Sequence, residues 1–187
     1  MKKLALIIIF TFAACIAAFA QQTIGSFVMF PNSKLKGSYY KPQMALTKIQ
    51  NSYFITVRCT CSNTYESFDS ESVVLLKFDD ESVEKLHISP LVEVSKKYSN
   101  TAIGFTIVDF YSTYSTYELS EECLKKIINK QQIKKVRLSF TNGNVKDYDI
   151  TPNYMEKMAE KLYESYLIVE STDTSRKSVI QDVETGF

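Results

Sequence analysis

The sequence contains no tryptophan, a single histidine, five glycines and four prolines. One histidine excludes an HExxH site and any zinc site built from several imidazoles. So little glycine and proline excludes a collagen-like or low-complexity body. No GxGxxG turn, Walker loop or GxSxG elbow occurs, which removes the usual nucleotide and esterase signatures. No repeat recurs at solenoid or propeller spacing. An excess of one charge is missing too: 22 Lys+Arg stand against 21 Asp+Glu, so there is no electrostatic footprint for nucleic acid. Aromatic rings are plentiful instead, with 12 Phe and 12 Tyr, side chains that build cores and contact surfaces alike.

The chain opens MKKLALIIIFTFAACIAAFAQQ. Lys2 and Lys3, the apolar run from Leu4 to Ala14 and the small-x-small triplet Ala18-Phe19-Ala20 have the layout of a signal peptide cut after residue 20. Even stretched to Ala20, the run is shorter than the ~20 residues that cross a bilayer comfortably, and no stop-transfer flank follows, so no membrane span is expected after cleavage. Phe12-Ala13-Ala14-Cys15 resembles the lipobox of bacterial lipoproteins, which implies a lipid anchor at Cys15. Phe12 stands where that box favours leucine, however, and Ile16 to Ala20 would form an apolar start. Cleavage after Ala20 is therefore expected, with lipidation and then a retained anchor as the alternatives. The export signal and strand-rich body are similar to those of many small exported proteins of Gram-negative bacteria, which implies a periplasmic or extracellular location. Cleavage would leave 167 of the 187 residues, with 20 basic against 21 acidic side chains. That length fits one domain, residues 21–170, burying about two thirds of its unfolded surface.

The pattern from Gly25 to Phe110 predicts strands at 25–30, 44–49, 52–61, 72–78, 83–89 and 103–111, with Pro31 and Pro42 as breaks. Residues 91–100 read as strand or loop. In 52–61, Tyr53, Ile55, Val57, Cys59 and Cys61 alternate with Phe54, Thr56, Arg58 and Thr60, which predicts one core face and one mostly wet face. Asp79-Asp80-Glu81-Ser82 marks a hairpin turn, with Val74, Leu76 and Phe78 meeting Leu86 and Ile88. Residues 103–111 are apolar on both faces, the pattern of a strand covered on both sides.

Ser120 as N-cap, Glu121 and Glu122 at the positive helix end and Leu119 stapling to Leu124 predict a helix ending near Lys130. Thr151-Pro152 opens another, with Met155, Met158, Ala159, Leu162 and Tyr166 on one stripe. Between them a hairpin turns at Asn142-Gly143. A three-residue loop, 141–143, sets Val136 against Tyr148, Arg137 against Asp147 and Lys135 against Asp149, separating core from solvent. Residues 171–187 read as a polar tail, flexible or loosely docked. The fold class is α+β: a mainly antiparallel sheet, single and curved or two packed sheets, with two helices in the C-terminal half.

Candidate sites are few. Cys59 and Cys61 lie two apart on a strand, too far for a mutual disulfide. Buried thiols are expected, with a bridge from one of them to Cys123 as the alternative. Cys123 also sits near a helix N-terminus, a position that can lower a thiol pKa. His87 shares a face with Leu75 and Lys85, away from the core. Asp79-Asp80-Glu81 lacks the spaced ligands of a calcium loop. Tyr111, Tyr114 and Tyr117 recur every third residue. An extended chain puts Tyr111 and Tyr117 on one face and Tyr114 on the other, so they form no common platform. Tyr111 reads as a strand end, Tyr114 as a loop residue and Tyr117 as packing near the helix, so the stripe reads as architecture; as the alternative, Tyr114, with Tyr111 and Tyr117, is the candidate partner-binding set. No metal or cofactor is implied. The leading expectation is a non-enzymatic module binding a protein or glycan. A small secreted hydrolase acting on cell-wall or carbohydrate substrate and a periplasmic lipid carrier are the alternatives.

Overall fold

The computed structural model describes residues 22–30, 41–62, 67–103, 105–141 and 143–185. The leader, Cys15, Pro31 and Asn142 therefore lie outside the described residues. In chain order the elements are strands β1 (Gln22–Ile24), β2 (Val28–Met29), β3 (Lys41–Ile49), β4 (Ser52–Ser62), β5 (Val73–Phe78), β6 (Val83–His87), β7 (Ser95–Ile103) and β8 (Thr106–Glu118). Helix α1 (Glu121–Ile128), strands β9 (Ile133–Ser139) and β10 (Val145–Asp149) and helix α2 (Pro152–Thr185) follow. One curled sheet has the order β1-β3-β4-β8-β7, with β2 also on β3; a second has the order β10-β9-β5-β6. Every pairing is antiparallel, and a bridge from Ile88 to Tyr117 links the sheets. The architecture is α+β, as the patterning predicts.

The core forms because both sheets turn an alternating apolar face inward. Met44, Leu46, Ile55, Val57, Cys59, Cys61 and Tyr117 supply one side; Val74, Leu76, Phe78, Leu86, Val136 and Leu138 supply the other. Helix α2 adds Met158, Leu162 and Val169. Both predicted hairpins have the expected pairing. Val74 faces Leu86 across the Asp79–Ser82 turn, and Val136 faces Tyr148, Arg137 faces Asp147 and Lys135 faces Asp149. Gly143 takes φ +72° in the second turn, the left-handed value that glycine adopts without strain. Ser120 caps α1, accepting the Cys123 N–H at 3.0 Å.

The predicted wet face of β4 is a correction. Phe54 and Thr56 are buried, and the shielded hydroxyls find one another: Thr47 Oγ1 lies 2.7 Å from Thr56 Oγ1, which lies 3.1 Å from Thr116 Oγ1. Hydroxyls that satisfy each other across strands can leave water at little cost, so polarity alone does not mark an outer face.

Three boundaries also differ, and the open reading of 91–100 is decided. Residues 25–30 contain only the short strand β2, because the chain leaves β3 at Gly25 to admit α2. There Ser165 Oγ accepts the Leu46 N–H at 3.0 Å, taking the place a neighbouring strand would fill. Pro42 lies inside β3 instead of before it, tolerated next to the strand's first residue. Residues 95–103 form β7, paired with β8. Helix α2 runs on to Thr185, through most of the segment read as a polar tail.

Candidate functional site

Strand β8 is extended through Glu118, so the three-residue spacing of its tyrosines meets a two-residue strand period. Tyr111 pairs with Cys61 and Tyr117 with Ile55 on the core face, whereas Tyr114 pairs with Arg58 on the opposite face. Tyr117 is wholly buried, accepts from Ser115 Oγ at 3.2 Å and packs edge-on to Phe68. Burial pushes its phenol pKa upward. A side chain so enclosed touches no partner, and the candidate role of Tyr117 is withdrawn. Tyr111 is half-buried against the Tyr98 ring, with centroids 5.4 Å apart.

Tyr114 sits in mid-strand, not in a loop, because β7 pairs with β8 as far as Tyr114. Its ring is flanked by Lys97 Nζ at 5.3 Å and Arg58 Cζ at 6.0 Å. Arg58 also lies over Phe27 at 4.3 Å and donates twice to Gln43 Oε1, from Nε at 2.7 Å and from Nη2. Phe27 meets Tyr114 edge-on. The result is a half-buried knot of two cations and two rings.

The same strand ends in a projecting ribbon. β4 stops at Ser62, opposite Phe110, while β7 and β8 continue pairing from Asn100–Asp109 out to Ile103–Thr106. The strand predicted at 103–111 as covered on both faces is thus corrected. Phe105 at the tip is fully exposed, Ile107 is 72% exposed and Tyr98 59%. Apolar residues on both faces mark a protruding two-stranded arm here, a geometry that strand patterning cannot separate from burial. Tyr98 Oη donates to Asp109 Oδ1 at 2.8 Å, tying the two strands at the ribbon's root. β7 ends the sheet order, so its outer edge pairs with no described strand.

The other candidates resolve plainly. Cys59, Cys61 and Cys123 are buried thiols and none is in a disulfide, which removes the bridge to Cys123. Burial pushes the Cys123 pKa up to about 12, overriding the helix-terminus effect that would lower it. His87 is exposed, opposite Val73 on the outer face of the second sheet. Asp80 accepts from the Ser82 hydroxyl and N–H and is held at about 2. Hydrogen bonds from Lys134 and Lys77 hold Glu81 at about 2, and Arg137 does the same for Asp147. Among the described residues no group of His, Cys, Asp or Glu is placed to hold a metal ion. No helix among them is long and apolar enough to cross a membrane.

A cluster that patterning missed joins Lys48, Tyr53 and Glu170. Lys48 Nζ lies 3.0 Å from Glu170 Oε1, and Tyr53 donates its hydroxyl to the same oxygen. Burial, then the Glu170 carboxylate, pushes the Tyr53 pKa up to about 12. The three come from β3, β4 and α2, 122 residues separating Lys48 from Glu170, and no local spacing announces them.

Fold and site together define an α+β protein whose most exposed feature is an apolar-tipped ribbon on its edge. Comparison with family models, with curated proteins and with solved structures finds no match.

Proposed function

We propose that the chain is an exported, non-enzymatic binding module of the bacterial envelope or secreted fraction, and that a partner protein docks on the β7–β8 ribbon. One observation carries the reading: residues 98–108 hold no charge, and Phe105 and Ile107 stand in solvent at the ribbon's end. Fully burying such a side chain is worth about 1.5–3 kcal/mol, and a lone two-stranded arm is marginal in water. Docking recovers both terms. The adjacent β7 edge offers backbone groups to a partner strand, and Tyr98 adds an amphipathic anchor beside it.

A protein suits this surface better than a glycan. The ribbon joins aliphatic Ile107 and a free strand edge to the Phe105 ring, whereas the aromatic platform a sugar would need is broken up, with Tyr111 leaning on Tyr98 and Tyr114 enclosed by Phe27, Arg58 and Lys97. Hydrolysis is less well supported. A general acid needs a raised carboxyl pKa, yet Asp80, Glu81 and Asp147 are all lowered to about 2. A lipid carrier calls for a dry internal cavity, whereas the cavity between Phe54 and Leu124 is open and bordered by Glu118 and Glu121.

A photocrosslinking residue at position 105 or 107 tests the reading in cells. An adduct of one fixed mass is expected from both positions and none from exposed Glu156 on α2. Phe105→Asp should abolish the adduct from position 107 without changing the unfolding temperature. Equal labelling from all three positions, or an adduct that survives Phe105→Asp, would remove the ribbon as the docking surface.

A further inference from the structure

A second surface, independent of the ribbon, carries its own reading. Register sets Phe54 directly across from Glu118, on the face opposite the core. The chain then turns through Leu119 and Ser120 into α1. Together with Leu91 from the β6–β7 connection, this end of the sheet and the flank of α1 enclose an open cavity of about 670 Å³. Ligand cavities commonly span about 300–1,000 Å³.

α1 meets the core through Cys123 and Ile127, with Leu119 and Leu124 packed partly buried against it; Leu119, Leu124 and Ile128 also line the cavity, over buried Phe54. Leu91, another lining residue, is 70% exposed. Apolar side chains gathered around a concavity, with Leu91 in solvent and Leu119, Leu124 and Ile128 only partly covered, suit a ligand site.

The rim sets the ligand's charge. Glu118 and Glu121 border the cavity against one cation, Lys125. Glu118 makes no ion pair among the described residues. The Glu121–Lys125 pair is long, at 3.9 Å, with both side chains mostly in solvent, so it neutralises Glu121 only weakly. We infer that this cavity binds an amphipathic cation. Its apolar body lies on Phe54 and the leucines, and its ammonium or guanidinium group meets the Glu118 and Glu121 carboxylates. An anionic amphiphile would instead meet the Glu118 and Glu121 carboxylates.

Calorimetric titration of the purified protein at about 0.1 M salt, an ionic strength that screens distant charges but not close ones, checks this. The probes are decyltrimethylammonium, decyl maltoside and decanoate, each below its micelle concentration. Saturable one-to-one binding of the cation is expected, at least tenfold tighter than the neutral probe, with decanoate weakest. Glu118→Gln with Glu121→Gln should weaken the cation about tenfold and leave decyl maltoside unchanged. Leu91→Arg, at the exposed wall of the cavity, should weaken binding of all three while circular dichroism stays native. Equal affinity for the three head groups, no saturation, or a cation affinity indifferent to the paired glutamine changes overturns the inference. Phe105→Asp should not alter these titrations, which keeps this site separate from the ribbon.

Discussion

On Tyr53, burial and a neighbouring carboxylate act on one phenol in the same direction. Both favour the neutral ring, and the pKa rises from 10.0 to about 12. A group with a raised pKa contributes its full stability below the unfolded value and loses it as pH climbs through the folded one. The contribution of Tyr53 should therefore be intact below pH 10 and fade between 10 and 12. Denaturant titrations of the native protein and of Tyr53→Phe are expected to diverge least at pH 12, where the native phenol ionises. A difference unchanged from pH 9 to 12 would mean that neither burial nor Glu170 shifts this phenol. Arg137 gives the contrast at the same scale. Its fork meets Asp147 at 2.6 and 2.8 Å, but both side chains are partly in solvent, so the pair adds little to stability.

Among the elements, the junction of α2 with the first sheet is the tightest. A Cβ placed on Gly25 would stand 2.3 Å from Ser165 Oγ and 2.5 Å from the Ser165 carbonyl oxygen. That carbonyl belongs to helix backbone and cannot swing aside. Gly25→Ala should cost about 1–3 kcal/mol, as overpacking does, visible as a lower denaturation midpoint with an unchanged slope. Removing the hydroxyl instead, in Ser165→Ala, leaves the buried Leu46 N–H without its partner and should cost a similar ~1–3 kcal/mol. If both variants prove as stable as the parent, α2 is not seated in the gap between β1 and β2. The ribbon of β7 and β8 is the opposite case, an element whose tip has little to lose and whose substitutions should be silent for stability.

For the whole molecule, the proposed export governs compartment and company together. Mass spectrometry of the native protein is expected to find Gln21 at the mature N-terminus and no acyl group on Cys15. A chain recovered from the cell interior with residues 1–20 attached would overturn the export proposal while leaving the fold untouched. Among the described residues, the core shared by the two sheets and two helices runs from Val28 to Val169.

Local rules made part of this protein legible in its sequence. The α+β class, both hairpin registers, the Ser120 cap and the Thr151-Pro152 helix start follow from alternation, turn chemistry and capping, which act over a few residues. The tyrosine spacing likewise foretold that Tyr114 and its two neighbours would part. Contacts between distant segments escaped, because no period encodes them. Such contacts hide Thr56, enclose Tyr117, bring Lys48, Tyr53 and Glu170 to one oxygen and open the cavity beside α1. The apolar run 103–111 shows the reason most sharply: a strand's pattern records which residues avoid charge, and only the placement of β4's end decides whether they meet protein or water.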